Sequence, residues 1–247
     1  MTGRTVPDWL TRWEYAHRGL HGHGVPENSL DAARRAIAAG MGIECDIQRS
    51  RDDHPVVFHD WDLDRLTEGE GATQAHTSVE LQRLRYRGSD ERPATLHQLL
   101  GTIGGVVPLL IEIKSKPGYD VERTCAAVNE ALEGYAGHHA VMSFDPRVAR
   151  WFRRNVPHIA RGLVMREDEY GNTQTAWQRR VAFWTAKPDF LAYDISALPN
   201  PWVSGLRNQG LPILTWTVNS RDTRVRALTN ADALISEGEG LAHGKKA

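Results

Sequence analysis

The sequence contains few cysteines, no long apolar run and no excess of charge of either sign. Cys45 and Cys125 have no CxxC or Cys/His spacing, which argues against a disulfide framework and against a zinc site. The most apolar stretch, 106–111, is far shorter than the ~20 residues that a membrane-spanning helix needs. The 30 basic and 31 acidic residues give a formal net charge of −1. This balance gives no electrostatic reason to expect nucleic acid or an anionic membrane as the main partner.

The N-terminal stretch 1–14 also lacks the apolar segment of a secretory signal, and it carries charges such as Arg4 and Asp8. Together with the two cysteines, this predicts a reduced, cytoplasmic protein without stable membrane insertion. The chain has 247 residues, 40% of them hydrophobic, which suits one domain with one large core over 1–247. The sequence leaves the oligomeric state open.

Short apolar segments alternate with amphipathic ones along the chain, which predicts an α/β fold with parallel strands. The predicted strand cores are 15–17, 42–47, 109–114, 140–143, 160–164, 190–194, 212–218 and 233–236. The predicted helices are 29–39, 121–132, 147–154, 177–185 and 221–228. Eight strands favour closure into a (β/α)8 TIM barrel, with a doubly wound open sheet as the alternative.

One segment, about 60–107, interrupts this alternation. It follows an extra short strand, 56–59, and contains only short helical pieces at 78–84 and 96–100. The sequence therefore predicts a small insertion after the second strand of the barrel.

Acidic residues inside apolar strands are the most informative feature of the sequence. Glu44 and Asp46 are two residues apart, which places both on one face of a strand. Glu112 and Lys114 have the same spacing on the next strand of the barrel. Clustered buried carboxylates repel one another unless a cation lies between them, and oxygen ligands suit Mg²⁺ or Ca²⁺. The alternatives are an outward, solvated face for the first pair and a simple Glu112–Lys114 ion pair.

Two histidines follow strands at the same predicted end of the barrel. His17 ends the first strand and His59 ends the extra strand. Because histidine exchanges protons near neutral pH, two of them across a metal-bound phosphodiester would make an acid/base pair. A lone histidine at a strand end is, by contrast, usually only a satisfied polar residue.

The order of these motifs resembles that of the glycerophosphodiester phosphodiesterases. The matching segments are Ala-His-Arg-Gly (16–19), Pro-Glu-Asn-Ser (26–29), Glu-Cys-Asp (44–46), His-Asp (59–60), Leu-Asp-Arg-Leu-Thr (63–67), Ala-Thr-Leu (94–96), Glu-Ile-Lys (112–114), Ser-Phe (143–144) and Trp-Thr-Val-Asn (216–219). The resemblance extends from His17 to Ile235, and it departs from the family mainly at Leu66 and at Glu237-Gly238.

The resemblance implies a (β/α)8 barrel and assigns roles to individual residues. The divalent metal would be held by Glu44, Asp46 and Glu112, and the general base and acid would be His17 and His59. The residues implied to bind substrate are Arg18, Lys114 and Trp216, and those implied to support the site are Glu27, Asn28, Phe144 and Asn219. In the family's scheme a hydroxyl of the substrate attacks first, and water then opens the cyclic intermediate to release glycerol 3-phosphate.

Two other functions compete with this one. A phospholipase D acting on lysophospholipids would share the barrel but would need an apolar channel, whereas the 60–107 segment is rich in charged residues. A catalytically silent barrel that binds a ligand should have lost a carboxylate or a histidine, and all five of these residues are present. The expected partner is therefore a small glycerophosphodiester, with the alcohol head group left open.

Overall fold

The computed structural model of the protein describes residues 6–242, which fall into two compact units. The first unit is Ala16–His139, and the second unit is formed by the residues before and after it. The strands are β1 (Tyr15–Ala16), β2 (Gly42–Arg49), β3 (Pro55–Val57), β4 (Ala94–Thr95), β5 (Leu109–Ile113), β6 (His139–Ser143), β7 (Ala160–Met165), β8 (Phe190–Asp194), β9 (Ile213–Val218) and β10 (Ala233–Ser236). The helices are α1 (Leu30–Ala38), α2 (Ser78–Leu81), α3 (Leu96–Ile103), α4 (Val121–Leu132), α5 (Pro146–Asn155), α6 (Ala176–Ala186), α7 (Pro201–Asn208) and α8 (Arg221–Asn230).

In the first unit, β2 is the central strand and pairs with β1, β5 and β3. Its parallel pairing with β5 runs from Ile43 to Ile47, and beyond that point β2 turns back into the antiparallel strand β3. β3 in turn pairs with β4 through Val56 and Val57. The β2–β3 hairpin therefore extends past the end of β5 and returns the chain toward the level of Asp46.

In the second unit, β6 to β10 pair in strict sequence order, and the register is parallel from β6 through to β10. A helix lies between each pair of successive strands. A doubly wound sheet instead reverses its strand order at a switch point, and within residues 6–242 neither unit contains such a reversal. The order and pairing of the elements are those of the (β/α)8 class, which confirms the predicted fold class.

Most predicted elements appear with small shifts of their ends. The strands at 190–194 and 233–236 and the helix at 121–132 have the predicted bounds, whereas α3 continues to Ile103. The extra strand ends at Val57, so His59 lies in the loop that follows it. The helix α7 was not predicted, since Gly205 interrupts it and Val203 is its one buried residue. Over residues 6–242, every helix is too short or too polar to cross a lipid bilayer.

A buried ion pair joins β7 to the start of β8 in the second unit. The side chains of Arg161 and Asp189 are each 4% exposed, and Arg161 Nη2 lies 3.2 Å from Asp189 Oδ1. The same carboxylate accepts the backbone N–H of Arg161, and the backbone N–H of Asp189 donates to Arg161 O. Asp189 therefore fixes the register of these strands as well as neutralising a buried charge.

We expect Asp189→Ala to lower the free energy of unfolding by about 3–5 kcal/mol, because it removes the carboxylate that is ion-paired with the buried Arg161 guanidinium. Chemical denaturation followed by circular dichroism would measure this change. The matched control is Asp8→Ala, which removes an exposed ion pair with Arg12 and should change stability by less than about 1 kcal/mol. Equal effects of the two substitutions would contradict the role assigned to Asp189.

Candidate active site

Three carboxylates meet on one face of the β2–β5 pair. Glu44 and Asp46 share a face of β2 because they are two residues apart, and the strand register places Asp46 directly beside Glu112 of β5. One carboxylate oxygen from each residue lies within 4.8 Å of the others. Their exposed fractions are 2%, 2% and 8%, so the alternative of a solvated face is wrong.

Two cations and one amide surround this carboxylate cluster. Lys114 Nζ lies 3.4 Å from Glu112 Oε1 and 3.5 Å from Asp46 Oδ1. Arg18 Nε lies 3.2 Å from Asp46 Oδ2, and the backbone N–H of Arg18 donates to Glu44 Oε2 at 3.0 Å. Asn28 Nδ2 donates to Asp46 Oδ2, and Asn28 Oδ1 accepts the backbone N–H of Asp46. The Glu112–Lys114 pair is therefore real, but it is part of a larger cluster.

The electrostatics of the cluster differ from one carboxyl group to the next. Burial, and then the negative charges of Asp46 and Glu112, raise the pKa of Glu44 well above its usual value. Burial alone would also raise the pKa of Asp46, but Lys114, His59 and Arg18 outweigh it and lower that pKa. Arg18 and Lys114 supply two positive charges beside three carboxylates, so a further positive charge would stabilise the fully ionised cluster.

The loop before α1 brings residues of the first motif to this cluster. Arg18 and Asn28 both adopt left-handed backbone angles, with φ of 55° and 58°, which non-glycine residues seldom do. Gly19, at φ 77°, packs so closely on α1 that a Cβ atom there would lie 2.8 Å from Ala32 Cβ. Glu27 Oε1 accepts a hydrogen bond of 2.7 Å from Arg18 Nη1. His17 directly precedes Arg18 and is partly buried.

The loop after β3 places His59 beside the same strand. The backbone N–H of Phe58 donates to Asp46 O, which ties the loop to β2. His59 Nδ1 lies 2.7 Å from Asp60 Oδ1. The side-chain amide of Gln48 donates to the backbone carbonyls of His59 and Asp60. The orientation of the His59 ring is therefore set by a carboxylate, and its loop is held by β2.

Arg65 links this loop to the first one. Its guanidinium contacts both oxygens of Asp60 and also donates to Glu27 Oε1 at 2.9 Å. No role is predicted from the sequence for Gln48, Asp60 or Arg65. Two signals were available, because Asp60 directly follows His59 and Arg65 lies in the Leu-Asp-Arg-Leu-Thr segment. Gln48 also had a signal, because it stands two residues after Asp46 and so shares the face of β2 that carries Glu44 and Asp46.

The other three predicted residues lie in the second unit. Phe144 and Trp216 pack edge to face with ring centroids 5.3 Å apart, and Trp216 Nε1 donates to Ala192 O at 3.0 Å. The backbone N–H of Asn219 donates to the hydroxyl of Thr223, near the start of α8. These contacts account for packing and capping. A role in substrate binding stays a prediction for Trp216, as does a supporting role for Phe144 and Asn219.

The donor set of the carboxylate cluster fits a hard divalent cation. All three candidate ligands are carboxylates, which Mg²⁺ and Ca²⁺ prefer over the nitrogen and sulfur ligands of zinc. Glu27, His59 and Asp60 form a second group with metal-ligand spacing. In that group Arg65 already contacts both carboxylates, so the all-oxygen cluster is the better candidate.

Comparisons with known proteins agree with this geometry. Residues 17–237 match the model of the glycerophosphoryl diester phosphodiesterase family. A glycerophosphodiester phosphodiesterase from Caldanaerobacter subterraneus is 30% identical over 239 residues, which cover 90% of this chain and 92% of that protein. A phosphodiesterase from Oleispira antarctica, solved with the product sn-glycerol-3-phosphate, has a TM-score of 0.80 and 27% identity, covering 91% of this chain and 92% of the other.

A third comparison concerns the fold alone. The glycerophosphodiester phosphodiesterase of Thermotoga maritima has a TM-score of 0.72 and 24% identity, covering 90% of this chain and 92% of that one. The matched range contains all five candidate metal-binding and acid/base residues, which are His17, Glu44, Asp46, His59 and Glu112. The chain therefore belongs to the glycerophosphoryl diester phosphodiesterase family and is an enzyme, a phosphoric diester hydrolase.

Proposed function

We propose that the protein hydrolyses glycerophosphodiesters to glycerol 3-phosphate and an alcohol, with a divalent metal held by Glu44, Asp46 and Glu112. The observation that carries the proposal is the meeting of these three buried carboxylates on β2 and β5. When bound, Mg²⁺ or Ca²⁺ would polarise the phosphoryl group and stabilise the charge that develops on it. The product found with the Oleispira antarctica enzyme supports glycerol 3-phosphate as the product here.

Arg18 and Lys114 are proposed to bind the phosphate oxygens. Both side chains are largely buried beside the carboxylates. The negative charges of Asp46 and its neighbours stabilise the positively charged form of both. Within residues 6–242, the buried Nε of Arg18 lies 3.2 Å from Asp46 Oδ2, but in a geometry that makes no hydrogen bond. A phosphate oxygen would give this donor the hydrogen bond that the carboxylate does not.

His17 and His59 are proposed as general base and general acid. A carboxylate can only accept, so the 2.7 Å contact with Asp60 assigns the proton to His59 Nδ1 and leaves Nε2 for the substrate. In the first step one histidine takes the proton of a glycerol hydroxyl, which attacks phosphorus, while the other donates a proton to the leaving alcohol. Water then opens the cyclic phosphodiester with the two roles exchanged, so no protein nucleophile is required.

Lysophospholipid hydrolysis is the second candidate, and the structure of 60–107 offers it little support. We propose that this segment is the insertion of a single barrel domain. Its apolar side chains Leu63, Leu81 and Tyr86 pack with Val56 and Phe58 in a buried cluster. Charged residues such as Arg83 and Arg85 are exposed instead. A cytoplasmic location is also part of the proposal, and the low cysteine content of two residues, both buried, supports it.

The direct test is release of glycerol 3-phosphate from glycerophosphocholine and glycerophosphoethanolamine, assayed with EDTA and after addition of Mg²⁺ or Ca²⁺. We expect release that EDTA abolishes and that one of the two metals restores. Failure to release glycerol 3-phosphate with either metal would contradict the proposed function. Faster hydrolysis of lysophosphatidylcholine than of either soluble diester would move the substrate to the second candidate.

We expect Glu44→Gln to weaken metal binding by about 100-fold or more, because it removes a charged ligand. In EDTA, the same substitution should leave the melting temperature unchanged or raise it, since it relieves the repulsion that raises the pKa of Glu44. Calorimetric titration with Mg²⁺ or Ca²⁺ and thermal unfolding would measure the two effects. The matched control is Glu130→Gln on the exposed face of α4. If the Glu44→Gln protein bound the metal as tightly as this control, Glu44 would be removed from the ligand set.

Replacing His17 or His59 by alanine should lower kcat by about 10²–10⁴-fold, the usual effect of losing a general acid or base. Asp60→Asn should lower kcat while KM stays nearly constant, because the amide no longer dictates which nitrogen of His59 carries the proton. Steady-state kinetics with a soluble diester would measure both effects. The controls are His97→Ala and Asp62→Asn, at two exposed positions. If the His17 and His59 variants were nearly as active as these controls, the roles assigned to the two histidines would be refuted.

A further inference from the structure

Two adjacent helices of the second unit are basic and contain no acidic residue. The helix α5 carries four arginines and packs against α6, which carries two. Lys187 follows α6 directly, with its Nζ 5.9 Å from the ring centroid of Trp184. The formal net charge of −1 for the whole chain therefore conceals a local excess of positive charge.

Most of these cations face solvent without a carboxylate partner. Arg147 pairs with Asp145, and Arg179 pairs with Glu167. Within residues 6–242, no ion pair involves the exposed side chains of Arg150, Arg154, Arg180 and Lys187. Their charges are therefore available to an external anionic partner.

Large apolar side chains are exposed on the same helix as part of this charge. Trp177, Val181 and Trp184 recur at intervals of four and three residues, which places them along one stripe of α6. Their exposed fractions are 67%, 54% and 73%. Large aromatic side chains are usually buried or lie at an interface, so two solvated indoles on one stripe indicate a binding surface.

An open groove of about 630 Å³ extends this apolar stripe toward α7. Its apolar lining includes Phe183 and Trp184 of α6, Leu206 of α7, and Leu211. The apolar area next to the cations is therefore larger than the stripe alone.

The α5–α6 surface is defined here by Arg150, Arg154, Trp177, Arg180, Trp184 and Lys187. We propose that it docks on an anionic lipid bilayer, with the indoles at the level of the head groups and the cations against the lipid phosphates. Tryptophan favours this interfacial position, where its ring is apolar and its N–H meets polar groups. Basic side chains near an anionic bilayer add electrostatic attraction.

Charge complementarity favours a bilayer over a second copy of the chain. In a two-fold dimer the same patch would lie on both sides of the interface, so the unpaired cations would face one another and repel. An anionic bilayer presents the opposite charge and has no fixed shape to match. Docking of this kind is peripheral, which agrees with the absence of a bilayer-spanning helix over residues 6–242.

The test is cosedimentation of the full-length protein with vesicles of phosphatidylcholine alone or mixed with phosphatidylglycerol, at low and at physiological salt. We expect binding only to the vesicles that contain phosphatidylglycerol, and weaker binding as salt rises. Trp177→Ala with Trp184→Ala should reduce the partition coefficient by about tenfold or more. Each of Arg150→Gln, Arg154→Gln and Arg180→Gln should reduce it about fivefold.

The matched control removes Val225 and Leu228, an exposed apolar pair on α8, by substitution with alanine. It should bind vesicles like the unmodified protein, and thermal unfolding would establish that every variant is folded. The proposal is overturned by no binding to phosphatidylglycerol vesicles, by binding that survives loss of both tryptophans, or by an equal loss in the control. It is also overturned if analytical ultracentrifugation shows a dimer that the double tryptophan substitution dissociates.

Discussion

Mutual repulsion among Glu44, Asp46 and Glu112 is the constraint on which the first unit depends. Burying three like charges within 4.8 Å is unfavourable unless nearby cations and hydrogen-bond donors compensate. Arg18 and Lys114 supply the charges, and Asn28 supplies a donor. The left-handed backbone of the first loop follows from this requirement, because it is what brings Arg18 and Asn28 to Asp46.

Much of the fold and the centre of the site could be predicted from the sequence. Apolar runs of four to eight residues identify β8 and β10, and the spacing of Glu44 and Asp46 on an apolar strand identifies a shared face. These signals are local, so they depend on few residues. The register of β2 against β5, which sets Asp46 beside Glu112, required the additional inference that the two strands are parallel neighbours.

The features that escaped prediction depend on contacts between distant residues or on exposure. Arg65 contacts Asp60 and also Glu27, which lies 38 positions before Arg65 in the sequence, and no periodicity predicts such a bridge. Gln48 acts on backbone carbonyls, which have no sequence signature. The net charge is a sum over the whole chain and cannot show that all charged residues of α5 and α6 are basic. Exposure of Trp177 and Trp184 likewise appears only once the helix is packed, since tryptophan at such spacing usually forms core.

The carboxylate cluster and the His59–Asp60 pair all lie between Ala16 and His139. Glu44, Asp46 and His59 belong to one continuous stretch that runs through the β2–β3 hairpin. The proposed metal ligands and acid/base residues are thus encoded in one contiguous block of the gene. The remaining half of the chain can accumulate substitutions, including those that change its surface charge, without altering the proposed ligands of the metal.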